Sequence, residues 1–572
     1  MSNQPAAANT MSLARALVAS LEAHGIRHAF CVPGESYLAL LDALRDSKIM
    51  LTVCRNEAGA AMMADAVGRA TGQPGLCLVT RGPGATNAAP GVYIAHQDAT
   101  PMLMLAGQVD HAWRGREAWQ ELDFPMTFGA MTRWCGEIEN PARWEEMLHR
   151  AFNATSAARP GPAVLALPRD LLSLPVPGPI RPPQASAQAG PDAMALADLS
   201  QRLCAAKRPL AILGGSGWSA QACDLFAEFA GRHGLPVATS YRRAALFSAD
   251  HPCYAGDLGL GANPQLLARI RASDLVLLIG GRLGEVPSQG YRLFSPEHSA
   301  RVLVHVYPDA KEIGRVFPVQ AGIVSGSQPF VGALAALALP PTAVWQSEAK
   351  AAHQDYLAWS QTPLPQPGEV NLGEVMVFLR EHLPHDAILC NGAGNYAAWI
   401  HRYYRFRAFA SHCAPACASM GYGVPAAVAM KRLYPDRQVI CVAGDGDFLM
   451  NGQEFATQVQ YALPIVNIVV DNGSYGSIRM HQEREFPGRE AATDLINPDF
   501  AALARAYGGF GATVTRTADF AAAFRACEAS GLPAILHLKV SIEAITPTTT
   551  LSALQAIGAG KAGGHPRTGS SR

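Results

Sequence analysis

The hydrophobic positions of the chain fall into short continuous runs that end at glycine and are followed by helical patterns. Residues 75–79, 209–213 and 439–442 are three such runs, each apolar at successive positions. Strands of a parallel sheet that is covered on both faces have this pattern, whereas half-exposed strands alternate polar and apolar residues. The repeated order of strand, turn and helix therefore predicts an α/β protein built on parallel sheets.

Two proline-rich stretches interrupt this alternation and are interpreted as surface linkers, at residues 171–193 and 339–370. A chain of 572 residues is too long for one hydrophobic core, which stops growing near ~250–300 residues. We therefore expect three doubly wound parallel-sheet domains followed by a flexible tail rich in glycine and polar residues. The expected limits are 1–175, 190–340 and 365–550 for the domains and 556–572 for the tail.

Composition narrows the class of function. The chain has 46 Lys and Arg against 46 Asp and Glu, and this balance argues against a nucleic-acid partner. No stretch reaches the roughly 18 uninterrupted apolar residues of a membrane span, so we expect no membrane partner. Its 12 cysteines contain no CxxC pair and are interpreted as reduced core thiols of a cytoplasmic enzyme.

The third segment places two oxygen-bearing side chains at one sheet edge. A strand at 439–442 ends at a Gly-Asp-Gly turn, a helical pattern follows, and a second strand at 465–470 leads to Asn472. The right-handed crossover of such a unit makes its strands parallel, so Asp445 and Asn472 should lie close together at the carboxyl edge. A plain surface turn is the alternative interpretation of Gly-Asp-Gly, and the complete strand, turn, helix and strand arrangement disfavours it.

This donor set predicts a magnesium site that also receives phosphate. One carboxylate, one amide oxygen and a backbone carbonyl form a hard-oxygen shell that Mg²⁺ completes with substrate phosphates and water. The glycines on either side of Asp445, Gly444 and Gly446, allow backbone N–H groups to approach phosphate closely.

The turn, the following helix and strand, and Asn472 together resemble the signature of thiamine-diphosphate-dependent enzymes. The whole chain, from about Ser12 to Pro547, resembles the acetolactate (acetohydroxyacid) synthase-like branch of that family. The resemblance implies that the three domains are, in order, pyrimidine-binding, central and diphosphate-binding. It also implies Mg²⁺ ligation by the side chains of Asp445 and Asn472 and by the backbone carbonyl of Ser474.

Further cofactor contacts are implied by the same resemblance. Residues 394–396 match a Gly-Gln-His stretch of the family, with Asn and Tyr replacing Gln and His. The carbonyl of Ala418 would accept a hydrogen bond from the 4′-amino group, and Met420 would be the bulky residue under the bent cofactor; an ordinary core methionine is the alternative. The implied cofactor-binding set is Gly394, Asn395, Tyr396, Ala418, Met420, Gly444, Gly446 and Asp447.

Glu57 is the candidate for acid–base catalysis. It follows a short strand at 51–54 and begins a helix of small residues, which leaves room for a flat ring. A carboxyl group beside N1′ of the aminopyrimidine is what this cofactor requires for proton exchange. An acidic residue favoured by the helix dipole is the alternative, and the match of residues 55–72 and 80–87 to the family favours catalysis.

Two residues are implied on the substrate side. Gln120 matches a glutamine that faces the thiazolium ring in acetohydroxyacid synthases. His481 stands where those enzymes have a tryptophan that shapes the choice of acceptor. A smaller ring that can form hydrogen bonds predicts relaxed discrimination by chain length.

The sequence of the central segment leaves the binding of FAD undecided. Acetohydroxyacid synthases bind FAD there through a Gly-Met-His-Gly stretch and an Arg-Phe-Asp-Asp-Arg stretch. This chain has Gly-Leu-Gly at 259–261 without the histidine, and residues 282–286 keep one arginine but neither acid. A lone glycine turn at 214–217 is weak evidence for a dinucleotide.

The resemblance implies a thiamine-diphosphate- and Mg²⁺-dependent 2-oxo acid decarboxylase or carboligase that forms a C–C bond through an enamine. Small 2-oxo acids or aldehydes are the expected substrates, and a homodimer or homotetramer is the expected assembly. Another lyase or decarboxylase of the family, acting on a different 2-oxo acid, 2-hydroxy ketone or acyl-CoA, is the alternative. A non-catalytic cofactor-binding subunit is disfavoured because Glu57, Asp445 and Asn472 are all present.

Overall fold

The computed structural model describes residues 10–178, 180–183, 187–294, 301–339 and 343–563. Within them the chain forms three six-stranded sheets, and every strand pair inside these sheets is parallel. Helices flank each sheet. The predicted α/β class with three doubly wound parallel sheets is confirmed.

The first sheet has the strand order β3-β2-β4-β5-β7-β6, and two further strands, β1 and β8, pair antiparallel. Its strands are β1 Thr10–Ser12, β2 His28–Cys31, β3 Met50–Val53, β4 Gly75–Val79, β5 Met102–Gln108, β6 Trp134–Glu137, β7 Pro162–Pro168 and β8 Pro175–Pro177. Its helices are α1 Leu13–Ala23, α2 Leu38–Arg45, α3 Glu57–Thr71, α4 Gly82–Asp98, α5 Phe124–Phe128 and α6 Trp144–Ser156.

The central sheet has the order β11-β10-β9-β12-β13-β14, which is the strand order of dinucleotide-binding folds. Its strands are β9 Pro209–Leu213, β10 Val237–Ser240, β11 Tyr254–Leu258, β12 Leu275–Ile279, β13 Val302–Tyr307 and β14 Ala321–Val324. The helices around it are α7 Ala193–Ala205, α8 Ala220–His233, α9 Pro264–Ala272, α10 Ser327–Ala335 and α11 Ala343–Ser360.

Helix α11 shows that the predicted linker at 339–370 was wrong over most of its length. Four of its side chains, Trp345, Ala349, Ala352 and Tyr356, are buried against the core of the central domain. They recur at helical spacing, so one face of the helix packs while the other remains polar. The prolines that flank this stretch drew the interpretation toward a linker.

The third sheet has the order β16-β15-β17-β18-β20-β19. Its strands are β15 Ile388–Asn391, β16 His412–Cys413, β17 Val439–Gly444, β18 Val466–Asp471, β19 Phe510–Val514 and β20 Ala534–Lys539. The helices around it are α12 Leu372–His382, α13 Ala397–Tyr403, α14 Gly423–Leu433, α15 Asp445–Asn451, α16 Phe455–Gln460, α17 Gly476–Glu485, α18 Phe500–Ala506, α19 Thr517–Ser530 and α20 Leu551–Gly563.

The first and third domains share one hydrophobic core, in which α3 packs directly against α14. Small residues such as Ala60 on α3 and Ala427 on α14 are fully buried and let the two helices approach closely. This packing fixes the carboxyl edges of both sheets relative to each other.

The last residues that the structure describes form helix α20, which packs against α17. The predicted tail begins inside α20: residues 556–563 are helical, and residues 564–572 lie outside the described residues. In the described part of the chain, none of the helices combines the length and the hydrophobicity needed to cross a bilayer.

Candidate active site

The candidate metal site lies where two neighbouring strands of the third sheet end. Asp445 begins α15 directly after β17, and Asn472 directly follows β18, which is hydrogen-bonded to β17. The Asp445 carboxylate is buried, and its Oδ2 accepts the backbone N–H of Gly473 at 2.9 Å. The two loops that contain the predicted ligands are therefore in direct contact.

A second carboxylate, which the sequence analysis missed, lies beside Asp445. Asn497 donates from Nδ2 to Asp445 Oδ2 and to Asp471 Oδ1, at 2.8 Å in each case. Burial, and to a smaller extent the charge of Asp471, raises the pKa of Asp445 to about 6. A buried carboxylate next to another carboxylate is stabilised in its charged form by a cation, so the site fits a bound divalent metal.

Asp471 itself is held in its charged form. Burial alone would raise its pKa, but hydrogen bonds from His537 and Lys539, at 2.8 and 2.6 Å, outweigh burial and lower it. The lysine and the buried histidine thus orient one carboxylate of the pair. Its position at the end of β18 was a signal in the sequence, since Asp471 directly precedes Asn472.

The remaining predicted ligands are ordered by a tight turn. Asn472 Oδ1 accepts the N–H of Ser474 at 3.1 Å, and the Ser474 hydroxyl donates to the carbonyl of Thr493 at 3.0 Å. Among the described residues, no group of three or more His, Cys, Asp and Glu side chains forms a metal cage. A donor set of one carboxylate, one amide and one carbonyl fits Mg²⁺, which takes its remaining ligands from phosphate and water.

Tyr396 and Asp447 form a buried pair next to the metal loop. Tyr396 donates from its hydroxyl to Asp447 Oδ2 at 2.5 Å, and Asp447 Oδ1 accepts the N–H of Gly421 at 2.6 Å. Burial raises the pKa of Asp447 to about 6. The two side chains thus connect the loop before α13 to the loop before α14. Their own polar groups are hydrogen-bonded to other groups of the protein.

Asn395 connects the same loop to α17. Its Oδ1 accepts a hydrogen bond from the hydroxyl of Ser477 at 2.8 Å, and its Nδ2 lies 3.6 Å from the sulfur of Met480. Ser477 and Met480 were not singled out from the sequence, although both lie on the helix that follows the metal loop. His481, the next residue, is exposed.

Ala418 and Met420 lie in the loop between β16 and α14. Ala418 is exposed and has a φ of +58°, in the left-handed region that non-glycine residues seldom adopt. Such a conformation costs about 1–2 kcal/mol and persists where the surrounding structure determines it. Met420 is partly buried.

Asp98 of the first domain holds this loop. Its carboxylate accepts the backbone N–H groups of Ala416 and Cys417 at 2.6 and 3.1 Å. Arg69 donates to the same carboxylate at 2.6 Å and to Asp65 at 3.1 Å, and all three charged side chains are almost fully buried. The loop that contains Ala418 is therefore positioned by an ion-pair network from another domain, which local sequence patterns do not show.

Glu57 is the first residue of α3 and is 8% exposed. Asn87, on α4, donates from Nδ2 to Glu57 Oε2 at 3.1 Å. A Cβ atom at Gly84 would lie 3.0 Å from Glu57 Oε1, so α4 passes close to the carboxyl group because that residue is glycine. The backbone before Glu57 is fixed by Glu454, whose Oε1 accepts the N–H groups of residues 55 and 56, both at 2.9 Å.

Gln120 lies in the loop after β5. Its φ is +65°, and its carbonyl accepts the N–H of Gly82, at the start of α4, at 3.0 Å. Gln120 thus lies at the same edge of the first sheet as Glu57. In the described residues, no hydrogen bond joins Glu57 or the Gln120 side chain to the metal site of the third domain.

The residues at the FAD positions of the central domain bind other parts of the protein. Arg282, which is all that remains of the FAD motif at 282–286, donates to the carbonyl of Gln97 in the first domain. Trp218 donates from Nε1 to the carbonyl of Gly214 at 2.8 Å, next to the glycine turn. These residues do not reproduce the FAD site of the synthases, and FAD takes no part in the function derived below.

Three family models match the chain in the order of its three domains. They are the thiamine pyrophosphate enzyme N-terminal TPP binding domain at residues 11–126, the central domain at 196–334 and the C-terminal TPP binding domain at 392–538. Together with the buried acidic site and the Glu57 edge, these matches define the class: the chain belongs to the thiamine pyrophosphate enzymes.

Similar proteins of known type indicate which branch of this family the chain resembles. The chain is similar to an acetolactate synthase large subunit from Parasynechococcus marenigrum, with 31% identity over 89% of this chain and 84% of the relative. It is also similar to the acetolactate synthase isozyme 2 large subunit of Escherichia coli, with 28% identity over 93% of this chain and 96% of the relative. A probable acetolactate synthase large subunit from Methanocaldococcus jannaschii is 29% identical over 87% of this chain and 86% of the relative.

Proposed function

We propose that the protein is a thiamine-diphosphate- and Mg²⁺-dependent 2-oxo acid decarboxylase and carboligase of acetolactate synthase type. The observation that carries the proposal is the buried acidic site at Asp445, together with a buried Glu57 that has an amide partner. The similarity to acetolactate synthase subunits over most of the chain supports the branch.

The residues take the following roles. Asp445, Asn472 and the carbonyl of Ser474 would hold Mg²⁺, and the backbone of residues 394–396 and 444–446 would contact the diphosphate. The bound cofactor supplies the electron sink for decarboxylation and C–C bond formation. Glu57 exchanges a proton at the aminopyrimidine ring, and Asn87 orients its carboxyl group.

Two residues of the loop before α14 would fix the geometry of the cofactor. The carbonyl of Ala418 would accept a hydrogen bond from the 4′-amino group, and Met420 would pack under the bent cofactor. Asp98 holds the backbone of this loop through two N–H groups. The exposed Ala418 with its left-handed φ is consistent with a backbone conformation that serves a ligand.

The products that the enzyme forms from a panel of substrates test the proposed reaction. Holoenzyme prepared with thiamine diphosphate and Mg²⁺ is incubated with a panel of 2-oxo acids, alone and with aldehydes, and the products are identified by mass spectrometry. A carboligase gives acetolactate from pyruvate alone. Release of CO₂ with an aldehyde as product assigns a plain decarboxylase instead, and no turnover of any panel member contradicts the proposal. The Glu57→Gln chain is the matched control for uncatalysed conversion.

We also propose a homodimer, or a homotetramer built from it, as the active unit. In the described part of one chain, no hydrogen bond connects the Glu57 edge with the metal site, and the family places each cofactor between domains of two subunits. Mixing Glu57→Gln chains with Asp445→Ala chains tests this arrangement. Shared sites restore partial activity in the hybrids; complete inactivity of proven hybrids contradicts sharing.

A cytoplasmic location is proposed from the cysteines. All twelve are free thiols, and most are buried. Free buried thiols are typical of proteins in reducing compartments. Fractionation of the native host, with detection by antibody, tests this location.

A further inference from the structure

A small cavity lies at the junction of the three domains. Its volume is about 30 Å³, and side chains of α3, of the loop after β10, and of β16 line it. The polar lining residues are Arg69, Arg242, Arg243 and His412, and the others are apolar or a thiol. A cavity of this volume holds one or two water molecules or one monatomic anion.

The guanidinium groups of the lining have N–H groups without a partner among the described residues. These are Nη1 of Arg69 and both Nε and Nη1 of Arg242; the Nδ1 atom of His412 also lacks a partner. Arg242 is 2% exposed, and its one hydrogen bond runs from Nη2 to the carbonyl of Gly392 at 2.9 Å. Unpaired donors on buried cations are costly, so a ligand that accepts several hydrogen bonds would be stabilised here.

The side chains that line the cavity favour an anion over neutral water, because they include three arginines and no carboxylate. The carboxylates on the Arg69 side, Asp65 and Asp98, bind Arg69, and the carboxylate on the Arg242 side, Asp447, accepts from a tyrosine and a backbone N–H. None of the three lines the cavity. Burial, and to a smaller extent the charge of Arg69, lowers the pKa of Arg243 to about 10, although Asp98 and Asp65 act in the opposite direction. The charged form of this buried guanidinium is therefore destabilised, and a bound anion would stabilise it.

We propose that this cavity binds one small inorganic anion of the size of chloride. The anion accepts hydrogen bonds from Arg69 and Arg242 and offsets the charge of Arg243. Because Arg69 also binds Asp98, and Asp98 holds the N–H groups of residues 416 and 417, an occupied cavity stabilises the loop that contains Ala418. The site is distinct from the metal site and does not depend on the proposed reaction.

Thermal unfolding of the full-length apoprotein tests the proposal in solution. Sodium gluconate, whose anion is too large for the cavity, is replaced by sodium chloride or bromide at constant ionic strength. The unfolding midpoint should rise with halide and saturate, by about 1–2 °C at a tenfold excess over Kd. Equal midpoints in gluconate and in halide would overturn the proposal.

Two variants separate this site from general salt effects. Arg242→Met removes the unpaired donors and should abolish the halide-dependent rise, whereas Arg45→Gln, at an exposed position at the end of α2, should keep it. An undiminished rise in Arg242→Met would count against the site. Where that variant does not fold, diffraction from wild-type crystals grown in bromide gives the answer: an anomalous peak bounded by Arg69, Arg242 and Arg243 supports the proposal, and only water there refutes it.

Discussion

The first and third domains arrange their strands in the same spatial order. When the strands of each of these two six-stranded sheets are counted along the chain, the second lies at one edge beside the first, and the fifth lies at the opposite edge beside the sixth. The central sheet has a different order, with its third strand at one edge. The two outer domains therefore present equivalent loops at their carboxyl edges, and these loops can be compared position by position.

Equivalent positions hold different chemistry. After the second strand, the first domain places Glu57 at the start of α3, whereas the third places Ala418 and Met420 in a loop before α14. After the third strand, the first domain has Gly82 at the start of α4, whereas the third has Asp445 at the start of α15. The topology decides where a site forms, and the residues on the loops decide what the site does.

The same comparison explains why each domain depends on the other. Helices α3 and α14 occupy equivalent places and pack against each other. At the same interface between the domains, Asp98 of the first domain fixes a loop of the third, and Glu454 of the third fixes the backbone before Glu57. Substitutions at these positions test whether the carboxyl edges of the first and third sheets have separate functions.

The largest expected effect comes from Asp445→Ala. This change removes the only carboxylate among the three proposed Mg²⁺ ligands, so Mg²⁺-dependent cofactor binding should fall by more than about 100-fold. Calorimetric titration with thiamine diphosphate, in the presence and absence of Mg²⁺, measures the affinity for the cofactor. Asp436→Ala, at an exposed position after α14, is the control. Unchanged affinity in Asp445→Ala would refute the assignment of the metal to the third domain.

Glu57→Gln should affect turnover and leave cofactor binding nearly intact. The amide keeps the shape and the contact with Asn87 but cannot exchange a proton, so kcat should fall by about 10²–10⁴-fold. Steady-state kinetics and cofactor titration on the same preparation separate the two effects. Glu139→Gln, at an exposed position of the same domain, should behave as wild type. A loss of cofactor affinity as large as that of Asp445→Ala would contradict the separation of acid–base catalysis at Glu57 from cofactor binding at Asp445.

Asp98→Asn tests the contact between the domains. The amide keeps the side-chain shape but leaves the buried Arg69 paired only with Asp65, so we expect about tenfold weaker cofactor binding. Fluorescence titration and chemical unfolding measure affinity and stability together. The surface pair of Arg169 and Asp110 supplies the control, because Asp110→Asn breaks a more exposed ion pair worth at most about 1 kcal/mol. Equal affinity in the two variants would remove Asp98 from the positioning of the loop.

Sequence reasoning predicted what local patterns determine. The parallel sheets and the meeting of the Asp445 and Asn472 loops follow from apolar runs and from a single crossover unit, and the structure has them. The partners Asp98, Asn87 and Asn497 could not be predicted, because each acts across a distance in sequence that only tertiary packing closes. Helix α11 was missed because the prolines on both sides of it are typical of a linker.

The smallest expected effect concerns the choice of acceptor at α17, on the third-domain side. With pyruvate as donor, and pyruvate and 2-oxobutyrate competing as acceptors, the wild type should show little preference. His481 is a smaller ring than tryptophan and is exposed, so it selects weakly for an extra methylene. His481→Trp should raise the 2-oxobutyrate product by about threefold, below the tenfold that a closed apolar pocket reaches. Met480→Leu is the companion variant, since Met480 contacts the Asn395 loop.

A strong 2-oxobutyrate preference in the wild type would contradict this role of His481. An unchanged ratio in His481→Trp, with a shifted ratio in Met480→Leu, would assign the selection to Met480 instead.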